Sequence, residues 1–156
     1  MVLFACTRDT FIPVDTTRVR WLIKDVDYEL ARDYWRKRHS PLSYKDWATA
    51  HTVGYQYAAI LDQGQVISCA GVWRFSEPAW EVAAVSTLEP YRHKGHGKQV
   101  VAYVTAHILE ANRLATCSTG NENTAMIATA KSVGFQLIPQ EQVWWKYPWE
   151  SSPDVV

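Results

Sequence analysis

The strand-like run Trp80-Glu81-Val82-Ala83-Ala84-Val85-Ser86-Thr87, the loop Arg92-His93-Lys94-Gly95-His96-Gly97 and the helical run after it decide the fold of this chain. Two glycines spaced Gly-x-Gly between a strand and a helix let the backbone turn tightly and approach a ligand closely. Amides at the start of the helix point into one concavity, where the helix dipole favours an anion. The sequence therefore predicts a site for a phosphate or pyrophosphate, with added positive charge from Arg92, Lys94 and Lys98.

Two other phosphate-binding loops do not fit this stretch. A P-loop requires Ser or Thr after its Gly-Lys pair, but Gly97-Lys98 is followed by Gln99. A dinucleotide-binding fingerprint requires a third glycine, but Val100 stands in its place. The pattern that remains is R-x-x-G-x-G after a strand.

The spacing R-x-x-G-x-G that begins at Arg92 resembles the acyl-CoA pyrophosphate loop of the GCN5-related N-acetyltransferase (GNAT) superfamily. A second segment, Asn123-Thr124-Ala125 followed by Gly134-Phe135, is similar to that family's N-x-(A/S)…G-F segment and lies at the family's distance from the loop. The approach to the loop departs from the family, since Pro90 stands one position later than usual. The resemblance covers residues 54–135 and hardly touches residues 1–50.

The periodicity of the chain predicts the element order β-α-α-β-β-β-α-β-α-β-β, which is also the order that the resemblance implies. We expect strands at residues 19–24, 54–61, 66–75, 80–87 and 114–118, helices at 27–38, 40–50, 97–111 and 123–132, and a last hairpin of 135–138 with 142–147. The expected fold is α/β, with a mixed, mostly antiparallel sheet of six to seven strands, helices on both faces and splayed central strands. One domain should cover residues 1–150, with a frayed tail at 151–156.

The overall composition is that of one globular domain. The chain has 156 residues, of which 47% are hydrophobic, enough to bury a core. Its formal net charge of zero argues against a nucleic-acid binder, which needs a basic surface. Three widely spaced cysteines without a C-x-x-C motif indicate reduced thiols in a cytoplasmic protein. The apolar stretch at the N-terminus is too short for a signal peptide, and no apolar run is long enough to span a membrane.

The resemblance implies acetyl-CoA as co-substrate, bound between splayed strands, with an amine attacking the thioester directly. The implied contacts are the end of the strand, the loop and one side chain further along: Val85, Ser86, Thr87, Arg92, His93, Lys94, Gly95, His96, Gly97, Lys98 and Asn123. Asn123 is also suited to cap the helix that follows, and the two roles are compatible. We expect the rings of His93 and His96 to be solvated or to face phosphate. We expect no metal site, because the five histidines form no ligand motif.

Glu81 is the candidate general base, because it is the only acid in the strand that leads to the loop. An amine with a pKa of about 10 must lose a proton before it attacks, and a carboxylate can accept that proton directly or through water. Strand alternation puts Glu81, Ala83 and Val85 on one face unless a bulge intervenes. The alternative is that Glu81 is a solvated edge residue just after a turn.

The general acid has no motif of its own. Many GNAT members carry a tyrosine four residues before the glycine of the G-F pair, and here that position is Ala130. Tyr147 is the catalytic candidate in its place, with Tyr91 and Ser86 as other candidate donors, unless the thiolate leaves unassisted. Cys117 lies in a core-like strand and fits an inert buried thiol better than a nucleophile.

Aromatic residues are numerous, with eight Trp and eight Tyr, so some of them must line a pocket or an interface. We expect an acceptor cleft suited to a cationic or aromatic amine, with the candidates Trp35, His39, Tyr44, Trp47, Tyr55, Tyr57, Trp73, Trp144 and Trp145. The alternative is that most of these residues belong to the core. The leading hypothesis is an N-acetyltransferase of small-molecule amines. The alternatives are a protein or peptide N-acetyltransferase and a non-catalytic acyl-CoA-binding module. We expect no nucleic-acid or membrane partner, and a homodimer is left open.

Overall fold

The computed structural model describes residues 1–139. The strands in this range are β1 (Val2–Cys6), β2 (Val19–Trp21), β3 (Tyr55–Asp62), β4 (Gln65–Trp73), β5 (Ala79–Thr87), β6 (Leu114–Thr119) and β7 (Gln136–Leu137). The helices are α1 (Tyr28–Lys37), α2 (Tyr44–Thr52), α3 (His96–Glu110) and α4 (Thr124–Val133), and a short 3-10 turn at Glu89–Tyr91 precedes α3. No helix in the described range has the length and the apolar character that a membrane crossing needs.

The described strands join one sheet, in the order β2-β3-β4-β5-β6-β1-β7. Neighbouring strands are antiparallel except β5 and β6, which run parallel with α3 as the crossover between them. The predicted mixed, mostly antiparallel sheet is confirmed, as is the predicted order of elements from β2 to β7. The other half of the last predicted hairpin, residues 142–147, and the tail at 151–156 lie outside the described residues.

β1 is missing from the predicted elements, although it lies inside the sheet between β6 and β7. Phe4 is opposite Cys117 on one side and Leu137 on the other. Phe4 and Cys6 are 1% and 0% exposed. The run Val-Leu-Phe-Ala-Cys has the apolar character of a buried strand. Its partners lie at the other end of the chain, and a local pattern does not encode so distant a pairing.

Different helices cover the two faces of the sheet. On one face, which we call the α3 face, Val72 of β4 packs with Val104 of α3 in a large apolar cluster. On the other face, the α1/α2 face, Cys69 of β4 packs with Tyr34 of α1 and Trp47 of α2. The expectation of helices on both faces is confirmed.

A β-bulge interrupts β5 at Ala84, whose φ of 53° is in the left-handed region. The register against β4 shifts between Ala83 and Ser86. Glu81, Ala83 and Ser86 therefore face α1 and α2, whereas Val85 packs on the α3 face. The predicted alternation holds for Glu81 and Ala83. Val85 is the exception that the expectation allowed for a bulge, because the extra residue reverses the faces after it.

β5 and β6 separate along their length. Their pairing covers only residues 79–81 against 114–116, although β5 continues to Thr87 and β6 to Thr119. The backbone of β5 after Glu81 therefore has an open edge on the side of β6. This is the splay expected for the central strands.

Candidate active site

A cleft of about 660 Å³ lies where β5 ends and the loop before α3 begins. Its walls come from the end of β5, this loop, the first turn of α3, the start of α4 and one arginine after α1. The lining residues are Arg38, Val85, Ser86, Thr87, Tyr91, Arg92, His93, Gly95, His96, Gly97, Lys98, Asn123, Ala125, Met126 and Thr129. All the residues predicted to contact the cofactor lie here except Lys94, which is exposed and not part of the lining.

The first turn of α3 presents backbone amides to this cleft. A helix leaves its first N–H groups without intrahelical acceptors, and here neither a side-chain cap nor an acidic residue in the first turn occupies them. Gly95 precedes the helix with a φ of 84°, a conformation that favours glycine. A Cβ added at Gly97 would lie 3.7 Å from Oγ1 of Thr87, an ordinary contact. The fold therefore tolerates a side chain at Gly97, but the cleft would lose space.

Positive charge surrounds these amides. Nε of Arg92 donates to the backbone oxygen of Thr87 across 3.0 Å, which holds the guanidinium beside the end of β5. Lys98 lines the cleft from the first turn of α3. Arg38 lines it from the end of α1, with its guanidinium 5.9 Å from the ring centre of Tyr34. None of the three cations forms an ion pair with a described carboxylate, so their charges are available to an anion.

The two loop histidines differ in their surroundings. His93 is exposed and has a φ of 65°. His96 is only 9% exposed, and its buried Nδ1 has no hydrogen-bond partner among the described residues. Of the two alternatives expected for His96, a solvated ring is wrong because the protein encloses it, and a ring that faces phosphate stays a prediction. An unpaired buried nitrogen beside a cleft is a polar group that a ligand or water can satisfy.

Asn123 caps α4 and borders the cleft at the same time. Its Oδ1 accepts a hydrogen bond from the amide of Met126 across 3.2 Å, so the side chain occupies the capping position. The side-chain nitrogen has no hydrogen bond to a described residue and can donate into the cleft. A contact between Asn123 and a cofactor stays a prediction.

A pair of hydroxyl groups lies at the cleft wall on the α1/α2 face. The hydroxyl of Tyr34 and Oγ of Ser86 are 2.6 Å apart, and Ser86 lines the cleft. Burial raises the pKa of the Tyr34 hydroxyl above its usual range, so this group stays protonated and can donate. Tyr34 itself is 1% exposed and does not line the cleft, so it is connected to the cleft only through its contact with Ser86.

The other candidate donors have different placements. Ala130, at the position of the family's tyrosine, is 0% exposed in the core. Tyr91 lines the cleft, and its hydroxyl accepts a hydrogen bond from Nε2 of Gln65 across 3.2 Å. Tyr147 lies outside the described residues, so its catalytic role stays a prediction.

Glu81 lies on the α1/α2 face at the point where β5 and β6 separate. It is 8% exposed, and Oγ of Ser118 donates to its Oε1 across 2.9 Å. The alternative of a solvated edge residue is wrong, because β4 and β6 flank Glu81 on both sides. Glu81 does not line the cleft itself. Its role as general base stays a prediction, which requires the amine to bind on this face of β5.

The three cysteines are free and buried. Burial raises the pKa of the Cys117 thiol to about 12 and that of Cys69 to about 11, so neither is a thiolate near neutral pH. This agrees with the interpretation of Cys117 as an inert core residue. Within residues 1–139, no three His, Cys, Asp or Glu side chains come together as a metal site requires.

Most of the sequence matches the model of a known protein family. The profile of the acetyltransferase (GNAT) family covers residues 21–135, most of the chain. The chain belongs to this family. The GNAT resemblance of the loop and of the Asn123 segment is thereby confirmed. No curated protein matches the chain closely enough to count as a relative.

Solved structures share the GNAT fold. A GNAT-family protein from Novosphingobium aromaticivorans superposes with a TM-score of 0.71 at 18% identity, over 88% of this chain and 59% of that one. A GCN5-related N-acetyltransferase from Sphaerobacter thermophilus gives 0.67 at 12% identity, over 88% and 48%. AAC(6')-Iy in complex with the bisubstrate analogue CoA-S-monomethyl-acetylneamine gives 0.61 at 18% identity, over 76% and 89%. This chain thus spans about half the length of the first two proteins, and similarity at such identities establishes the fold alone.

Proposed function

We propose that this GNAT chain is an N-acetyltransferase that transfers the acetyl group of acetyl-CoA to a primary amine of a small molecule, by direct attack within a ternary complex. The observation that carries the proposal is that two sets of backbone groups without hydrogen-bond partners border the same basic cleft. These are the uncapped first turn of α3 and the edge of β5 that β6 leaves unpaired. Together they suit a ligand that joins a pyrophosphate to an arm containing amides.

The cleft residues fit acetyl-CoA group by group. The α3 amides, with Arg92 and Lys98, would hold the pyrophosphate. The open backbone of residues 85–87 would pair with the pantetheine amides as an added strand does, and the side-chain nitrogen of Asn123 would donate to the same arm. When bound, acetyl-CoA supplies a thioester whose carbonyl carbon accepts the nucleophile.

Glu81 has the role of proton acceptor in this proposal. An alkylammonium group has a pKa of about 10, so most of the amine is protonated near neutral pH. The hydroxyl of Ser118 fixes one carboxylate oxygen of Glu81 at 2.9 Å, which leaves the other oxygen able to accept the proton directly or through water. Amides on the open part of β5 can donate to the oxyanion that develops as the nitrogen attacks.

Ser86 is the described hydroxyl that we assign to the departing sulfur. It lines the cleft on the face of β5 that also carries Glu81. The hydroxyl of Tyr34, 2.6 Å away, can replace a proton that Ser86 gives up. This pair takes the place of the family's tyrosine, whose position is Ala130 here. Tyr147 is the alternative donor.

Release of free thiol from acetyl-CoA across a panel of small amines tests the proposal. Gly97→Trp is the variant designed to block the cleft, because Gly97 lines the cleft and a Cβ there meets only an ordinary contact. Leu137→Trp is its matched control, since it adds the same ring to an exposed position on β7. We expect release that depends on the amine, disappears in Gly97→Trp and persists in Leu137→Trp.

Three other outcomes would point elsewhere. Binding of CoA without release from any amine would indicate a non-catalytic acyl-CoA-binding module. Release with peptide amines alone would indicate a protein or peptide N-acetyltransferase. Absence of CoA binding would overturn the assignment of the cleft.

We also propose a cytoplasmic location. The three cysteines are free thiols, the state that a reducing compartment maintains. The homodimer left open by the sequence is tested by size-exclusion chromatography, where a single monomer peak would exclude it.

A further inference from the structure

Three side chains from neighbouring strands form a row on the α1/α2 face of the sheet. Trp73 of β4 lies opposite Tyr55 of β3 on one side and opposite Glu81 of β5 on the other. The rings of Tyr55 and Trp73 are stacked, with centroids 5.4 Å apart and planes 10° from parallel. Both rings are partly exposed. This set of Tyr55, Trp73 and Glu81, here called the aromatic row, places ring surface next to a carboxylate.

Small side chains connect the aromatic row with the cleft. In the next row toward the cleft, Gly71 of β4 lies opposite Ala83 of β5. The ring of Tyr57 extends across Gly71, because a Cβ at that glycine would be 3.3 Å from two of its ring carbons. Tyr57 also stacks with Tyr55, at 6.4 Å between centroids. Beyond these small residues, the next residue of β5 on this face is Ser86, which lines the cleft.

Glu81 is a buried carboxyl group that has no basic partner among residues 1–139. Asp27, the other buried carboxylate among the described residues, pairs with Arg20 at 2.9 Å. Among residues 1–139, the side chain of Glu81 has one hydrogen-bond partner, the hydroxyl of Ser118. Buried carboxylates are rarely left unpaired, because the desolvated charge is costly. The pKa of the Tyr55 hydroxyl is raised by burial and then by the charge of Glu81, which agrees with their proximity.

We infer that the acceptor is an arylalkylamine, a primary amine joined to an aromatic ring by a short alkyl chain. Its ammonium group binds beside Glu81 and supplies the missing counter-charge, while its ring packs against Tyr55 and Trp73. The inference rests on the proposed function and names its substrate class. A linear polyamine would require further carboxylates, and the aromatic row offers one.

With the amine in this position, the atoms and charges of the acetyl transfer balance. Glu81 accepts one proton from the ammonium group and passes it to water. The amine nitrogen then bonds to the acetyl carbon while the carbon–sulfur bond breaks, and the sulfur leaves with the bonding electron pair. The second proton of the nitrogen goes to the sulfur, by way of the Ser86 hydroxyl, so the products are the amide, the thiol and one released proton.

Amines that differ in the presence of a ring or in the number of ammonium groups test the substrate class. We would measure kcat/KM by thiol release for 2-phenylethylamine, butylamine and 1,4-diaminobutane. Stacking and cation–π contacts of the usual size predict an advantage of about tenfold for 2-phenylethylamine over butylamine. Tyr55→Leu should reduce that advantage to about twofold. Tyr103→Leu is the matched control, because Tyr103 is also partly exposed and also 5.4 Å from a tryptophan, Trp21, but lies on the α3 face.

Equilibrium binding provides a second measurement that does not depend on turnover. Calorimetry on the CoA-bound protein would compare 2-phenylethylamine with the uncharged 2-phenylethanol. Glu81→Gln should weaken binding of the amine about tenfold and leave binding of the alcohol unchanged. Tyr55→Leu should weaken binding of both compounds, with a melting temperature that shows the protein is still folded.

The substrate class and the proposed function fail in different ways. Equal kcat/KM for 2-phenylethylamine and butylamine would overturn the arylalkylamine class and leave the N-acetyltransferase proposal standing. An equal loss of the aromatic advantage in Tyr55→Leu and Tyr103→Leu would do the same. Binding of CoA with no thiol release from any amine would overturn the N-acetyltransferase function and the substrate class together.

Discussion

Replacing Glu81 with glutamine removes the negative charge of the proposed proton acceptor and little else. A glutamine amide oxygen can still accept the hydrogen bond that Ser118 donates at 2.9 Å, and the side chain keeps its volume in a site that is 8% exposed. The change also replaces a buried carboxyl group, which has no basic partner among the described residues, with a neutral amide. We therefore expect a melting temperature equal to or above that of the wild type.

The effect of Glu81→Gln on the rate should be large and should depend on pH. General-base catalysis contributes about 10²- to 10⁴-fold in rate. We expect kcat/KM for the amine to fall at least about 100-fold near neutral pH, which corresponds to about 2.7 kcal/mol of barrier. An amine with a pKa of about 10 is largely deprotonated in alkaline solution, so the deficit should shrink as the pH approaches that value. Thiol release at saturating acetyl-CoA, measured across this pH range, gives both quantities.

Glu77→Gln is the matched control for this change. Glu77 is an exposed carboxylate just before β5, 3.0 Å from Arg113, and we expect its substitution to leave kcat/KM unchanged. A loss of less than about tenfold in Glu81→Gln, or about 1.4 kcal/mol, would refute the assignment of Glu81 as the base. A deficit that stays constant with pH would also refute it, because lost packing or binding would then explain the rate.

Four further variants test the cleft and the fold. Lys98→Ala should raise KM for acetyl-CoA about tenfold at low salt and Lys94→Ala less than about twofold, because only Lys98 lines the cleft; equal effects would contradict this placement. Tyr34→Phe should lower the free energy of unfolding in urea by about 1 kcal/mol, because Ser86 loses a hydroxyl partner 2.6 Å away; an unchanged value would show that the pair adds no stability. Burial lowers the pKa of His107 below its usual 6.5, so the unfolded chain binds this proton more readily. The stability that neutral His107 provides is complete above pH 6.5 and is lost as the pH falls through the lowered pKa. His107→Gln should therefore flatten the decline in unfolding free energy between about pH 7 and 5, and an unaltered slope would contradict this explanation.

The turn proposed to bind phosphate could be located from the sequence because its determinants are local. The end of β5, the turn at Gly95 and the first turn of α3 lie within a single short segment, residues 85–98. The positive φ of Gly95 and the uncapped amides after it follow from residue types at fixed spacing. A sequence pattern can therefore specify this geometry without knowledge of the rest of the fold.

The parts that could not be predicted depend on distant partners or on a backbone irregularity without a signature. Tyr34 and Ser86, whose hydroxyls are 2.6 Å apart, come from different elements 52 residues apart in the chain. Arg38 follows α1 without any motif, and only the packing of α1 brings it to the cleft. Ala84 has a left-handed backbone conformation although it is not glycine, so its residue type does not predict the bulge.

The bulge at Ala84 connects the two halves of the proposed site. In an unbroken strand, Glu81, Val85 and Thr87 would share one face. The extra residue instead turns Val85 and Thr87 toward α3, where Oγ1 of Thr87 comes near Gly97, and brings Ser86 to the face of Glu81. The left-handed conformation costs a residue other than glycine roughly 1 kcal/mol or more. With that strain, one strand borders the proposed phosphate-binding turn on one face and places a carboxyl group and a hydroxyl group on the other, where we propose that the amine binds.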